Sequence, residues 1–119
     1  MMLTIRKIQP QNPKNKWKIE LDDGQEIVLN QAIVRQLKLH EGSVYDAEQV
    51  ARAEQTMGFQ LALSLLAKRE YSQQQIREKL QRRHLHQASI DSVVQHLMEK
   101  RYLSDERFAE VFARELAQK

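Results

Sequence analysis

The chain has 119 residues, enough for one ordinary domain or two very small ones with a modest core, and its 41% hydrophobic and 29% charged residues fit a folded protein rather than a disordered one. It has no cysteine, which excludes disulfide staples, thiolate zinc sites and thiol nucleophiles and fits a reducing compartment such as the cytoplasm; no window approaches the ~20 apolar residues of a membrane span, and Met1 to Pro10 carries no signal-peptide core. The net charge of +3 is uneven: residues 1–50 hold seven Lys/Arg against seven Asp/Glu, and residues 51–119 hold twelve against nine, which suits weak attraction to a polyanion or acidic surface but not a dedicated nucleic-acid arm.

The first third reads as strands. Leu3, Ile5 and Ile8 lie on an incomplete alternation, Gln9 to Lys16 is a polar stretch holding both prolines, and Trp17, Ile19 and Leu21 restart a strict period of two. Asp22-Asp23-Gly24 then supplies residues that tolerate the positive φ of a tight turn, so Gln25 to Leu29 is expected to pair back on Lys16 to Leu21 as a hairpin. Asn30 caps a short helix through Leu37, with Ile33, Val34 and Leu37 on one side, and His40-Glu41-Gly42 closes it. Residues 1–45 thus form a small β-rich module of three strands and one helix, marginal alone and packed on the residues C-terminal to it.

From Asp46 the apolar period changes to 3.6, which makes residues 46–119 a helical domain and the fold class α+β. Asp46-Ala-Glu-Gln49 opens a long helix through about Lys68, with Val50, Met57, Leu61 and Leu65 on one stripe and Gly58 as a candidate bend. Ser72-Gln-Gln-Gln75 is a capping-box pattern for a second helix ending near His84, whose inner face is Ile76 and Leu80. Ser89 is expected to begin a third, with Ile90, Val93, Val94 and Leu97 inward and Asp91 in the positive first turn. Ser104-Asp-Glu starts a fourth, with Phe108, Val111, Phe112 and Leu116 inward, and Lys119 is reached before any returning helix. Sliding Leu61 to Leu65 forward by 47 residues lands on Phe108 to Phe112 with the inward positions in register; a repeated helix gives that match, and so does chance between two amphipathic helices.

Four blocks carry a resemblance. Leu61-Ala-Leu-Ser-Leu-Leu-Ala-Lys-Arg-Glu-Tyr-Ser72, then Ile76-Arg-Glu-Lys-Leu80, then Val93-Val94 with Leu97, then Tyr102-Leu-Ser-Asp-Glu-Arg-Phe-Ala109 are together similar to the RecX family of recombination regulators. The run from Tyr102 to Ala109 is the most specific piece and resembles the junction between the family's first and second repeats. The likeness spans about half the chain. It implies a tandem array of three-helix repeats, of which this chain holds one and the opening helix of a second where the family usually has three; a piece of a longer protein and a naturally short relative both fit. It also implies no catalysis and no cofactor, and binding to RecA along the groove of its filament on single-stranded DNA, with modulation of strand exchange, ATP hydrolysis and repressor cleavage.

The residues named for contact with a partner or with DNA are Lys68, Arg69, Arg77, Lys79, Arg82 and Arg83, at and after the turn between the first two repeat helices, with Lys100 and Arg101 at the end of the third. Lys79 and Arg83 border one side of the Ile76/Leu80 stripe and Arg77 the other, so they frame a groove for phosphates or acidic side chains; the plainer alternative is a solvated face trimmed by pairs such as Glu78 with Arg82, and by cations that suit a helix C-terminus. His40, His84, His86 and His96 complete no metal site and read as surface or capping residues. Trp17 is either sheet core or a stacking residue for a base. Phe112 and Leu116 would be left partly uncovered if the next helices are absent, and an exposed stripe there predicts a homodimer through Phe108, Phe112 and Leu116. With the resemblance the first expectation is a RecA-regulating binding protein; a stand-alone basic nucleic-acid module and a dimeric scaffold are the alternatives.

Overall fold

The computed structural model describes residues 2–11 and 15–118. Pro13, one of the two prolines of the polar stretch, lies outside the described residues, as do Met1 and Lys119. Strands β1 (Leu3–Pro10), β2 (Lys16–Leu21), β3 (Glu26–Asn30) and β4 (Val44–Tyr45) form one antiparallel sheet in the order β3-β2-β1-β4, with helix α1 (Gln31–Gln36) between β3 and β4. Helices α2 (Ala47–Leu66), α3 (Gln73–Gln81), α4 (Gln87–Glu99) and α5 (Asp105–Ala117) complete the chain. The fourth strand corrects the expected three: two residues show no period of their own, and β4 exists only because Leu3 and Thr4 pair with it.

The broken alternation of β1 has a physical cause. Ile5 faces Leu21, but the next pair is Lys7 with Glu20, so Arg6 is an extra residue bulged out of the ladder. The bulge returns Ile8 to the core side opposite Ile19, three residues after Ile5 instead of two or four, while Arg6 pairs with Glu20 outside. The β2–β3 hairpin runs from Lys16 opposite Asn30 to Glu20 opposite Glu26, as the Asp-Gly signal predicts. Its turn holds Gly24 at φ +92°, a conformation in which a side chain would be strained.

Two apolar clusters meet along α2. Ile5, Ile19, Leu21 and Leu29 of the sheet pack with Ile33 and Val34 of α1 and with Val50 and Ala53 of α2. Ala62, Ile76, Leu80, Leu85, Ile90, Val93, Val94, Leu97 and Leu103 form the second cluster, and Met57 touches both. The buried face of α2 differs from the expected stripe of large residues. Val50, Ala53, Glu54, Gly58 and Ala62 are buried, whereas Met57, Leu61 and Leu65 sit half-buried on its flank. Small side chains let α4 come close, and Gly58 is a contact point: a Cβ there would lie 3.2 Å from both Leu85 Cδ1 and Val93 Cγ2. Gly58→Val should therefore cost about 2 kcal/mol by overpacking. Gly58→Ala should be nearly neutral, the ~1 kcal/mol helix-propensity gain offsetting a tight methyl. Urea midpoints of the two variants check this, and a Gly58→Val protein as stable as the parent would mean that α2 and α4 part easily.

Helix ends obey local chemistry. Ser72 and Gln75 complete the expected capping box on α3, and Ser104 accepts from the Arg107 amide at the start of α5. The expected start of α4 at Ser89 is corrected: the helix opens at Gln87 behind His86, which offers no side-chain cap, and Ser89 is buried. Asp91 consequently lies beyond the first turn and pairs with Arg77 of α3. The expectation that α5 packs inward is also corrected, since none of its residues is buried. Phe108 and Val111 are half-buried, and Phe112 and Leu116 are 51% and 54% exposed. Among the described residues no helix is long and apolar enough to cross a membrane.

Candidate functional site

The direction of the helices sorts the eight candidate cations into two groups. Glu54 meets His86 and Ser89, Gly58 meets Val93, and Phe59 meets His96 with ring centroids 4.9 Å apart, so α2 and α4 run side by side in the same direction and α3 returns between them. Lys68 and Arg69 after α2 therefore share one end of the domain with Lys100 and Arg101 after α4. Arg82 and Arg83 lie at the other end, roughly 14 Å away along the nine residues of α3. The expected grouping of Lys68 and Arg69 with Arg82 and Arg83 in a single cluster does not form.

Partners divide the cations further. Arg77 hydrogen-bonds to Asp91 and donates Nε to Gln73 Oε1 at 3.2 Å, so its charge is matched where it stands. The same guanidinium, with help from the Gln87 amide, holds the Asp91 carboxyl below its ordinary range. Arg69 lies over the Tyr71 ring, 4.4 Å from its centroid. Lys79, Arg82 and Arg83 carry no ion pair among the described residues, and their i, i+3, i+4 spacing puts them on one side of the α3 end. Glu78, expected to trim Arg82, instead accepts from the Gln74 amide at 3.2 Å. Lys79, Arg82 and Arg83 thus form the most concentrated uncompensated positive charge of the eight. Lys100 caps the end of α4, and Arg101 comes next at φ +61°, its carbonyl accepting from Arg107 Nη2 at 2.8 Å.

The position of Arg83 is set from the sheet side. Asn30 is only 6% exposed, and its Nδ2 donates to the Arg83 carbonyl at 2.7 Å while its Oδ1 accepts from the Ala32 amide at 2.7 Å. His84, at φ +59°, bonds through Nε2 to Asn15 Oδ1 at 3.1 Å. These bonds seat the α3–α4 turn against Asn30 at the end of the edge strand β3 and against Asn15 just before β2.

Sequence reasoning missed the polar group at the junction. Glu54 is 1% exposed, and its carboxylate accepts from Ser89 Oγ at 2.8 Å, from the His86 ring at 3.0 Å and from the His86 amide at 3.3 Å. Because His86 offers α4 no side-chain cap, Glu54 supplies from α2 the negative charge that the helix N-terminus attracts. A glutamate in place of an apolar residue on the α2 face was the only signal for it. The hydrogen bond to Glu54 raises the His86 pKa, against the opposing effect of burial, and burial, with Glu54 second, raises that of the Tyr45 phenol.

A group whose folded pKa is raised stabilises the fold fully below its unfolded pKa and loses that contribution as pH climbs through the folded value. The parent protein should accordingly have a higher denaturant midpoint near pH 6 than near pH 8, the window above the ordinary histidine value of about 6.5. His86→Gln should flatten that difference. An unchanged pH profile in the variant would assign it to another group.

The remaining candidates sit in structural surroundings. His40 bonds to the Glu41 carbonyl at 2.8 Å, and His96 lies edge-on against Phe59; among the described residues no group of three or more His, Cys, Asp or Glu gathers to hold a metal. Trp17 packs on the sheet cluster with Nε1 buried and without a hydrogen-bond partner among the described residues. Phe108 and Phe112 stack 5.8 Å apart on α5, beside a small groove they share with Arg69 and Glu70. Arg107 ties α5 back through Glu70 at 3.0 Å, and Asp105 accepts from the Gln73 amide at 2.7 Å.

Residues 59–97 match the family described as RecX, first three-helix domain. A regulatory protein RecX from Syntrophotalea carbinolica is 39% identical over 64 residues, 54% of this chain and 42% of that protein. One from Lactobacillus gasseri is 30% identical over 115 residues, 93% of this chain and 42% of that one. A crystal structure of regulatory protein RecX superposes with a TM-score of 0.54 at 19% identity, covering 98% of this chain and 60% of that one. The last likeness is one of fold, and it includes the sheet module as well as the helices. The chain spans about two-fifths of the length of these curated relatives.

Proposed function

Since the chain belongs to the RecX family through its first three-helix domain, we propose that it is a regulatory binding protein that modulates, and by preference inhibits, RecA filaments on single-stranded DNA. Its setting is the cytoplasm, in DNA repair, recombination and the SOS response, and its role is contact rather than catalysis. The observation that carries the reading is the match of residues 59–97 to that domain. Lys79, Arg82 and Arg83 add cations that carry no ion pair among the described residues at one end of α3, suited to a filament whose DNA is a polyanion. Domain by domain, residues 1–45 act as a module set against the helical residues 46–119.

The test is binding of this chain to RecA filaments on single-stranded DNA, beside DNA alone, while ATP hydrolysis is followed. Filament-selective binding with slowed hydrolysis supports the reading; binding with unchanged hydrolysis, or none to the filament, overturns it. A second reading is favoured by the exposed Phe112 and Leu116, which with half-buried Phe108 make a stripe that suits a homodimer scaffold. Sedimentation at rising concentration separates the two, because a scaffold dimerises and ignores the filament, and Phe112→Ser would dissolve its dimer. A stand-alone nucleic-acid module would bind DNA with a steep salt slope and show no preference for RecA.

A further inference from the structure

We propose that the cleft between α1 and the α3–α4 turn is a subsite for a backbone phosphate of single-stranded nucleic acid, which gives the sheet module a direct part in binding. The inference deepens the proposed regulatory role and rests on its nucleic-acid component. The cleft has a volume of about 510 Å³, and Arg35, Gln31 and Gln36 of the α1 region meet Arg83 of the turn across it, with Asn15 at the side and Asn30 beneath. Among the described residues its lining is two guanidinium groups, neutral amides and Ala32, with no carboxylate. Guanidinium and amide N–H groups are the donors that hold phosphate oxygens, the guanidinium through its fixed fork.

The frame is built before any ligand arrives. Asn30 Nδ2 to the Arg83 carbonyl at 2.7 Å and His84 Nε2 to Asn15 Oδ1 at 3.1 Å join the two walls, and the Gln31 amide donates to the Asn15 carbonyl at 2.9 Å. Arg35 and Arg83 are therefore carried on backbones fixed relative to each other, and little ordering remains to be done on binding. Two observations favour nucleic acid over an acidic peptide. Among the described residues the only apolar side chain in the lining is that of Ala32, which offers a peptide no pocket for a neighbouring residue. Arg83 also continues into Arg82 and Lys79, a row of cations that suits a polymer of regularly spaced charges. With no aromatic or large apolar side chain among the described lining residues to take a base, contact there is independent of sequence.

The test uses the full chain without RecA, so it stands or falls separately from filament regulation. Nitrogen–proton correlation spectra are followed while a short oligodeoxythymidine is added. The side-chain amide signals of Asn15, Gln31 and Gln36 and the Nε–H signals of Arg35 and Arg83 should shift saturably. Arg35→Ala, its spectrum checked for an intact fold, should weaken binding several-fold and lower the salt slope by roughly 0.7, the share of one single-strand phosphate. Arg35→Lys should restore part of the affinity. The proposal is overturned if the oligonucleotide does not bind, if only Lys79 and Arg82 respond, or if a polyglutamate peptide shifts the cleft signals and the oligonucleotide does not.

Discussion

Replacing Glu54 by alanine should destabilise the protein by about 3 kcal/mol, more than any surface change in the chain. The carboxylate is buried at the meeting of the sheet and helical clusters, and its three donors are Ser89 Oγ, the His86 ring and the His86 amide. Removing it strands the Ser89 hydroxyl, itself 2% exposed, and leaves the α4 N-terminus uncapped. Glu54→Gln should cost less, because the amide oxygen still accepts from one donor while its NH2 group faces donors instead of acceptors. Ser89→Ala removes donor and stranding together, so in a double-mutant cycle the Glu54→Ala cost should shrink when Ser89 is already alanine. Urea unfolding measures the four proteins of the cycle and Glu54→Gln beside them. Additive losses would mean that Glu54 and Ser89 act separately and that the carboxylate's value lies with His86.

The sequence made some of this visible and hid the rest for reasons that particular residues explain. Ile76 and Leu80 of α3, and Ile90, Val93, Val94 and Leu97 of α4, are buried as their spacing predicts, because large aliphatic side chains on one face leave few alternatives. The Asp-Gly turn and the Asn30 cap were legible for the same reason, since each residue type has one local use there. The inner face of α2 was not, because closest approach is made by Ala53, Gly58 and Ala62, which a search for large apolar residues passes over. β4 depends wholly on pairing with β1, and the Arg6 bulge disguised β1's alternation. Of the binding cations, residue type and helical spacing were readable. The pairing of Arg77 with Asp91 and the seating of Arg83 by Asn30 were not, because those partners lie 14 and 53 residues away.

Reversing two cations, Lys79→Glu with Arg83→Glu, should weaken binding to single-stranded DNA by on the order of a hundredfold at low salt. These side chains share one side of the α3 end and lack local counter-charges among the described residues, so their field reaches solvent undiminished by a neighbour. If each meets one phosphate, the double reversal should also lower the logarithmic salt slope by about 1.4, a change that general unfolding would not mimic. Stability should move little, because Arg83 serves the fold through its carbonyl to Asn30, which glutamate keeps. Arg77→Ala provides the contrast: its charge is already matched by Asp91, so it should cost far less binding while removing the ion pair that joins α3 to α4. Fluorescence anisotropy with a labelled oligonucleotide across a salt series reads every quantity. If Arg77→Ala costs as much as the double reversal, binding follows total charge rather than this face. If the double reversal leaves affinity intact, Lys79 and Arg83 are a solvated surface and the contact lies elsewhere.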